Sequence, residues 1–237
     1  MATEFQQALN DIHEKAQNTK ELGDYFERIS KIYFENDDVQ KQYYSEVQHY
    51  VDWAETRPEF SKVDIGIDLV AKLRDEEGYV AIQCKCYSED NTITKEQINS
   101  FISASTSDVF KRLILIDTTL KDLGKHAQST IENLNKPFSR IQINELETSR
   151  IDWLHYLSDN SVRLKKKNTL RNHQIQALES VENGFKDADR GRLIMACGTG
   201  KTFTSLKIAE KLAGKGKLVL YMVPSLSLMS QTVREWK

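Results

Sequence analysis

Two short apolar runs with polar residues at fixed places constrain this chain most. Gly66-Ile67-Asp68-Leu69-Val70 is followed, after the charged stretch Arg74-Asp75-Glu76-Glu77-Gly78, by Ile82-Gln83-Cys84-Lys85. Apolar runs on either side of a Gly-containing turn predict an antiparallel hairpin, with strands over 65–73 and 79–87. In a hairpin the opposed residues have a constant index sum. A turn centred on Glu76 sets Asp68 opposite Cys84; half a residue either way sets it opposite Gln83 or Lys85. Gln83 and Lys85 share a face because strand side chains alternate, and Val80, Ile82 and Cys84 take the other face toward a core. An acid on one strand thus confronts a Gln-x-Lys on the next, with directly opposed side chains about 5 Å apart.

These residue types suit a phosphodiester. The anionic backbone repels hydroxide, and a divalent ion offsets that charge and acidifies a bound water. Mg2+ takes oxygen ligands and keeps several waters. Asp68 is the expected anchoring ligand, with the Gln83 amide oxygen and the Cys84 backbone carbonyl beside it. Lys85 would orient the water or stabilise the charged phosphate in the transition state.

A second motif lies downstream. Met195-Ala196-Cys197-Gly198-Thr199-Gly200-Lys201-Thr202 stands between an apolar run and a helical pattern. Turn glycines let backbone N–H groups cradle phosphates at a helix N-terminus. Gly198, Thr199 and Gly200 would form that cradle. Lys201 would reach the β- and γ-phosphates of ATP, and the Thr202 hydroxyl would bind Mg2+. The strict eight-residue pattern wants Gly where this chain has Met195.

Periodicity organises the rest. Helices are expected over 3–35, 94–104, 120–134, 151–157, 171–185, 201–213 and 226–236. Further strands are expected over 47–53, 112–117, 140–143, 192–196 and 217–223, with helix a competitor over 39–52. The change of texture at 158–168, which includes Lys165-Lys166-Lys167, reads as a linker. It would separate one domain over 1–157 from another beginning at 169, whose strand–loop–helix–strand order is a βαβ unit.

Composition excludes some classes. With 237 residues, 39% hydrophobic and 29% charged, the chain has the makings of one or two soluble domains. A net charge of −2 gives no global basic field, so any nucleic-acid surface is local. Lys85, Lys95, Lys111 and Arg112 are candidates to meet phosphates. No apolar run is long enough for a membrane span, and the N-terminus lacks the pattern of a signal peptide. The cysteines are Cys84, Cys86 and Cys197. Two of them sit two apart on one strand, a spacing that suits reduced thiols and a cytoplasmic location better than a disulfide, and no second ligand pair suggests zinc.

The stretch from Gly66 to Lys85 resembles the Mrr-type branch of the PD-(D/E)XK nucleases, which often has Gln where the broader superfamily has an acid. A Gly-x-x-Phe-Glu pattern marks the first helix of that branch, and Gly23-Asp24-Tyr25-Phe26-Glu27 matches it. The resemblance makes Glu27 a candidate second acid and metal ligand, with Asp64 a further candidate. The downstream motif resembles motif I of superfamily 2 helicases. Leu170-Arg171-Asn172-His173-Gln174 resembles the segment upstream of it, which implies that Gln174 reads an adenine edge. Val223-Pro224-Ser225, with Leu228 and Gln231, resembles motif Ia.

The order of nuclease, linker and helicase resembles the N-terminus of the Type ISP restriction–modification enzymes. Arg150-Ile151-Asp152-Trp153 and Asp189-Arg190-Gly191 add weaker matches. The resemblance implies an α/β fold, with a mixed central sheet flanked by helices and an incomplete RecA-like parallel segment over 169–237. It implies a Mg2+-dependent endonuclease acting on foreign duplex DNA and driven by ATP in a longer protein, with S-adenosylmethionine used only by that longer protein. Pairing with a second enzyme complex on DNA is implied too. The motor is expected to be truncated here and to hydrolyse ATP poorly. Rival readings are an HsdR-type Type I subunit, a repair or remodelling helicase with an accessory nuclease, and a non-cutting DNA-binding module with a degenerate nuclease.

Overall fold

The computed structural model describes residues 3–62, 66–166, 169–196, 198–214, 216–223, 229, 232 and 236. It divides into two compact units, Met1–Lys165 and Lys166–Lys237. Asp64, Cys197, residues 224–228 and Gln231 lie outside the described residues, as does most of the helix expected over 226–236.

The first unit opens with two helices where the periodicity predicts one. Helix α1 (Glu4–Lys15) ends before Ala16, and α2 (Thr19–Asn36) restarts from Asn18, whose side chain accepts from the Glu21 amide. That cap satisfies an orphan N–H and makes a new start cheaper than one long helix. The next segment runs helix α3 (Gln40–Tyr43), strand β1 (Tyr44–His49), helix α4 (Tyr50–Glu55). The strand expected over 47–53 is therefore shifted back, because Tyr50, Trp53 and Ala54 bury one helical face.

The predicted hairpin forms as β2 (Leu69–Leu73) and β3 (Tyr79–Lys85). After it come α5 (Lys95–Ala104), β4 (Phe110–Asp117), α6 (Lys125–Glu132), β5 (Phe138–Ile141), α7 (Ile143–Thr148) and α8 (Trp153–Asp159). The sheet order is β1-β2-β3-β4-β5, antiparallel up to β3 and parallel beyond it. The mixed sheet flanked by helices is as expected. Strands joined by the crossover helices α5 and α6 are parallel because a helix can return the chain in the same direction.

Each face of the sheet buries its own core. Phe5, Ile12, Phe26, Ile29 and Phe34 from α1 and α2 pack on Leu69, Ala71, Val80, Ile82, Ile114 and Ile116. On the other face Tyr50, Trp53 and Phe101 pack on Val70, Ala81 and Leu113. Ile93, Ile98 and Ala127 cover Leu115. Central strands apolar on both faces are what a sheet covered by helices on both sides requires.

Part of the segment read as a linker packs on this unit. Leu164 bridges Ile151, the Asp152 amide donates to the Arg163 carbonyl, and Arg150 donates to the Lys165 carbonyl. Arg150 also donates to Asp38, which receives Lys41 as well. Burial alone would raise the Asp38 pKa, but these two cations prevail and bring it down to about 2.

Gly66 shows why this motif needs glycine. Its φ is +93°, and an added Cβ would stand 2.9 Å from the Phe101 nitrogen and 2.7 Å from Ser100 Oγ. Gly66→Ala is therefore expected to lower stability by about 2 kcal/mol or more, combining left-handed strain with a backbone clash. Thermal unfolding checks this, and a midpoint equal to the parent's would contradict it. Among the described residues no helix is long and apolar enough to cross a membrane.

In the second unit, helices α9 (Asn172–Asp187) and α10 (Lys201–Ala213) form close to expectation. The strands expected over 192–196 and 217–223 do not form among the described residues. Ile194, Leu218, Leu220 and Met222 are each more than four-fifths exposed. A strand is stable only with a paired neighbour, and the described residues of this unit supply no ladder for either segment.

Candidate functional site

The site lies at the open end of the β2–β3 hairpin. Leu69 pairs with Ile82 and Val70 with Ala81; regular pairing stops at Leu69, where the Asp68 amide donates to the Ile82 carbonyl out of that register. The register is fixed for the paired strands up to Leu69, and Asp68 meets the facing strand through its carboxylate at Cys84. Asp68 lies just before β2, where strand alternation fails: Ile67 and Val70 both enter the same core cluster. Asp68 Oδ2 accepts the Cys84 amide at 2.5 Å, in the position a ladder carbonyl would take, and the Asp68 amide donates to the Ile82 carbonyl at 3.0 Å. Asp68 therefore reaches the Gln-Cys-Lys segment through the gap between strands rather than from a regular strand face.

Gln83 is 1% exposed, and its Oε1 has no hydrogen-bond partner. A buried acceptor left unmatched costs about 1–3 kcal/mol. Lys85, two residues along the same face, is half-buried, and among the described residues its Nζ forms no ion pair or hydrogen bond. From α2, Glu27 Oε2 stands 3.8 Å from Nδ1 of His49 at the end of β1. The Cys84 thiol faces the helices. Burial pushes its pKa well up, and the charges of Asp68 and Glu27 add to that, against the opposing effects of Ser30 and Lys85. Cys86 likewise packs against the core, pushed up to about 11 by burial. Both thiols are free, and neither has the character of a nucleophile.

The donor set fits a hard divalent ion. The carboxylates of Asp68 and Glu27, Gln83 Oε1 and the Cys84 carbonyl are all oxygens, although Glu27 belongs to α2, which covers the Cys84 face of the sheet rather than the Gln83 face. Among the described residues, no three His, Cys, Asp or Glu side chains form a cluster that could hold a metal by themselves.

In the second unit the glycines before α10 take the backbone shape of a tight loop. Gly198 and Gly200 have φ of +75° and +77°, and Gly200 caps α10, which begins at Lys201. Lys201 Nζ and Thr199 Oγ1 both donate to the Ala196 carbonyl. Thr202 is half-buried at the first turn of the helix. Gln174 does not present a free edge to a base. It is 4% exposed, its Nε2 donates to the Thr199 and Gly200 carbonyls, and its Oε1 accepts the Arg171 amide. It clamps the loop to α9. The depression beside the loop is lined by His173, Gln176, Met195, Ala196 and Thr199.

Residues 35–163 match the restriction endonuclease family. The chain belongs to that family. Residues 167–237 match a second family, the res subunit of Type III restriction enzymes. The whole chain is similar, at 34% identity and a TM-score of 0.73, to the solved structure of the ATP-dependent Type ISP restriction–modification enzyme LlaBIII bound to DNA. It spans 15% of that enzyme's length. Two further structures are the DNA modification-dependent restriction endonuclease AspBHI and the MspJI restriction endonuclease in complex with a 27-mer oligonucleotide. Each is 15% identical; TM-scores are 0.41 over 68% of this chain and 38% of AspBHI, and 0.38 over 60% of this chain and 30% of MspJI. No curated protein matches.

The restriction endonuclease unit also holds residues that the sequence did not single out. His49 beside Glu27 is one. A larger group surrounds Asp117, which is fully buried. Asp117 receives Arg140 Nε at 2.7 Å and Nη2 at 3.0 Å, with the Thr119 amide and hydroxyl. An acid at the end of an apolar strand, followed by two threonines, was the available signal. Lys111 and Arg112, offered as phosphate contacts, lie at the start of β4, beside the hairpin turn, and Arg112 pairs with Glu76. That is ~16 Å of strand from the Lys85 end of the sheet.

Proposed function

We propose that this restriction endonuclease unit cuts phosphodiester bonds of duplex DNA with Mg2+ held by Asp68, Gln83 Oε1, the Cys84 carbonyl and Glu27. The observation that carries the reading is the buried Gln83 Oε1 without a hydrogen-bond partner, next to Cys84, whose amide the Asp68 carboxylate accepts, with a Lys85 ammonium that forms no ion pair among the described residues. When bound, such an ion offsets phosphate charge and acidifies a water. The Cys84 amide fixes the Asp68 carboxylate, so the main anchoring oxygens are positioned before DNA arrives. Lys85 carries a positive charge that no acid of the described residues neutralises, and it can hold the attacking water or a non-bridging phosphate oxygen. Glu27, held near His49, completes the oxygen set from α2.

The similarity to LlaBIII supports placing this chain in a Type ISP enzyme, with duplex DNA as its partner and two complexes meeting on DNA as the occasion for cutting. We take the nuclease domain to run to about Lys165 and the helicase-like segment to follow. There ATP would sit on Gly198, Thr199, Gly200, Lys201 and Thr202, and binding would require Lys201 to leave the Ala196 carbonyl. Gln174 would act by holding the loop. S-adenosylmethionine would serve methylation elsewhere in the longer protein. Free thiols at Cys84 and Cys86 suit a reducing, cytoplasmic setting.

Lys85→Ala tests the assignment. With the whole protein, ATP and Mg2+, it is expected to reduce cleavage of unmethylated plasmid by ~10²–10³-fold while leaving metal affinity within threefold. Cutting at the parent rate would remove Lys85 from the reaction, and cutting in excess EDTA would remove the metal.

A further inference from the structure

We infer that Arg140 and Asp117 form a positioning pair that sets the catalytic Lys85. This rests on the proposed nuclease site and adds residues from strands that the motif does not include. Lys85 on β3 is the register partner of Asp117 on β4, and side chains paired across a parallel ladder share a face. Arg140 reaches Asp117 from β5, so the three charged residues form a row at the carboxyl ends of three parallel strands.

Hydrogen bonds tie this pair to the lysine's own backbone. The guanidinium grips both Asp117 oxygens, and Nη2 also donates to Thr119 Oγ1 at 2.7 Å. That fixes residues 117–119. Between them, the Thr118 amide donates to the Lys85 carbonyl at 3.2 Å. The Thr118 hydroxyl accepts the Tyr87 amide at 2.8 Å and donates to the Tyr87 carbonyl at 2.5 Å. The strand end bearing Lys85 is therefore held from the β4 side by a segment that Arg140 locks. On the β2 side, the Cys84 amide is held by Asp68. A buried Arg–Asp pair gains little stability over apolar residues of the same shape, so its value here lies in fixed geometry. A lysine with four rotatable stem bonds needs such support, because small misplacements of a catalytic group cost orders of magnitude in rate.

The test uses the whole protein, single-turnover plasmid cleavage, DNA affinity and added guanidinium ion. Arg140→Ala is expected to slow cleavage ~100-fold with DNA affinity within threefold, and a few millimolar guanidinium should restore ~10-fold of that loss. Guanidinium should not restore Lys85→Ala. Cleavage within threefold of the parent, a rate loss matched by weaker DNA binding, or failure of guanidinium to rescue would each overturn the inference. Should Arg140→Ala not fold, Arg140→Lys serves, since it keeps the charge and loses the fork. A drop of ~10-fold in rate with unchanged DNA affinity is expected, and parental cleavage would overturn the inference. The parent and Asp68→Asn are run alongside. An inert parent or an active Asp68→Asn would refute the nuclease site itself. A cutting parent, an inert Asp68→Asn and a normal Arg140 variant would refute only the positioning pair.

Discussion

Asp68→Asn is expected to lower DNA cleavage by at least ~10³-fold while the first unit stays folded. The substitution is nearly isosteric. An amide oxygen can still accept the Cys84 N–H that Oδ2 accepts now, so the end of the hairpin ladder keeps its bond. What disappears is the negative charge. Gln83 is neutral, and among the described residues no three His, Cys, Asp or Glu side chains form a group that could hold a metal ion in its place. The loss should appear in metal binding as well as in rate, which separates it from Lys85→Ala. Titration with Mn2+, plasmid cleavage and circular dichroism check the three parts. An Asp68→Asn protein that still cuts at about a tenth of the parent rate would show that the metal is anchored elsewhere.

Asp117→Ala should produce the largest loss of stability, ~3 kcal/mol. The carboxylate is fully buried and accepts from Arg140 twice and from Thr119 twice. Removing it leaves a guanidinium whose side chain is only 15% exposed without its counter-charge, together with an unmatched Thr119 amide. The cost falls toward the low end of the range for a broken buried pair, because the Arg140 head can swing toward water. Urea unfolding followed by tryptophan fluorescence reads it through Trp53 and Trp153, both buried in this unit. A change below about 1 kcal/mol would mean the pair is not buried as described. The two experiments are complementary: Asp68 is replaced with the fold kept, and Asp117 by removing part of the fold.

Several elements were legible in the residues because they depend on local order. The hairpin over 69–85 was one, since its two apolar runs and its Gly78 turn all lie within a short window. Helices α5, α9 and α10 were others, because each has one apolar face and a definite start. The break between α1 and α2 was also written locally, in Asn18 and Glu21, but the apolar spacing on both sides concealed it. The stretches over 192–196 and 217–223 read as strands because they are apolar and β-branched. A strand needs a neighbour, and that requirement is not local.

The site divides in the same way. The sequence by itself determined which groups are available: an acid, a Gln-x-Lys on the neighbouring strand, a glutamate on an earlier helix, and a glycine loop before a helix. Only the tertiary structure decided the register, the bend that brings Asp68 into the gap beside Cys84, the buried, unmatched oxygen of Gln83, and the use of Gln174 as a clamp. It alone brought Arg140 on β5 to Asp117 on the neighbouring β4. Residue type and short-range spacing are fixed by the chain, whereas burial and long-range pairing arise only when helices cover both faces of the sheet and exclude water from between them.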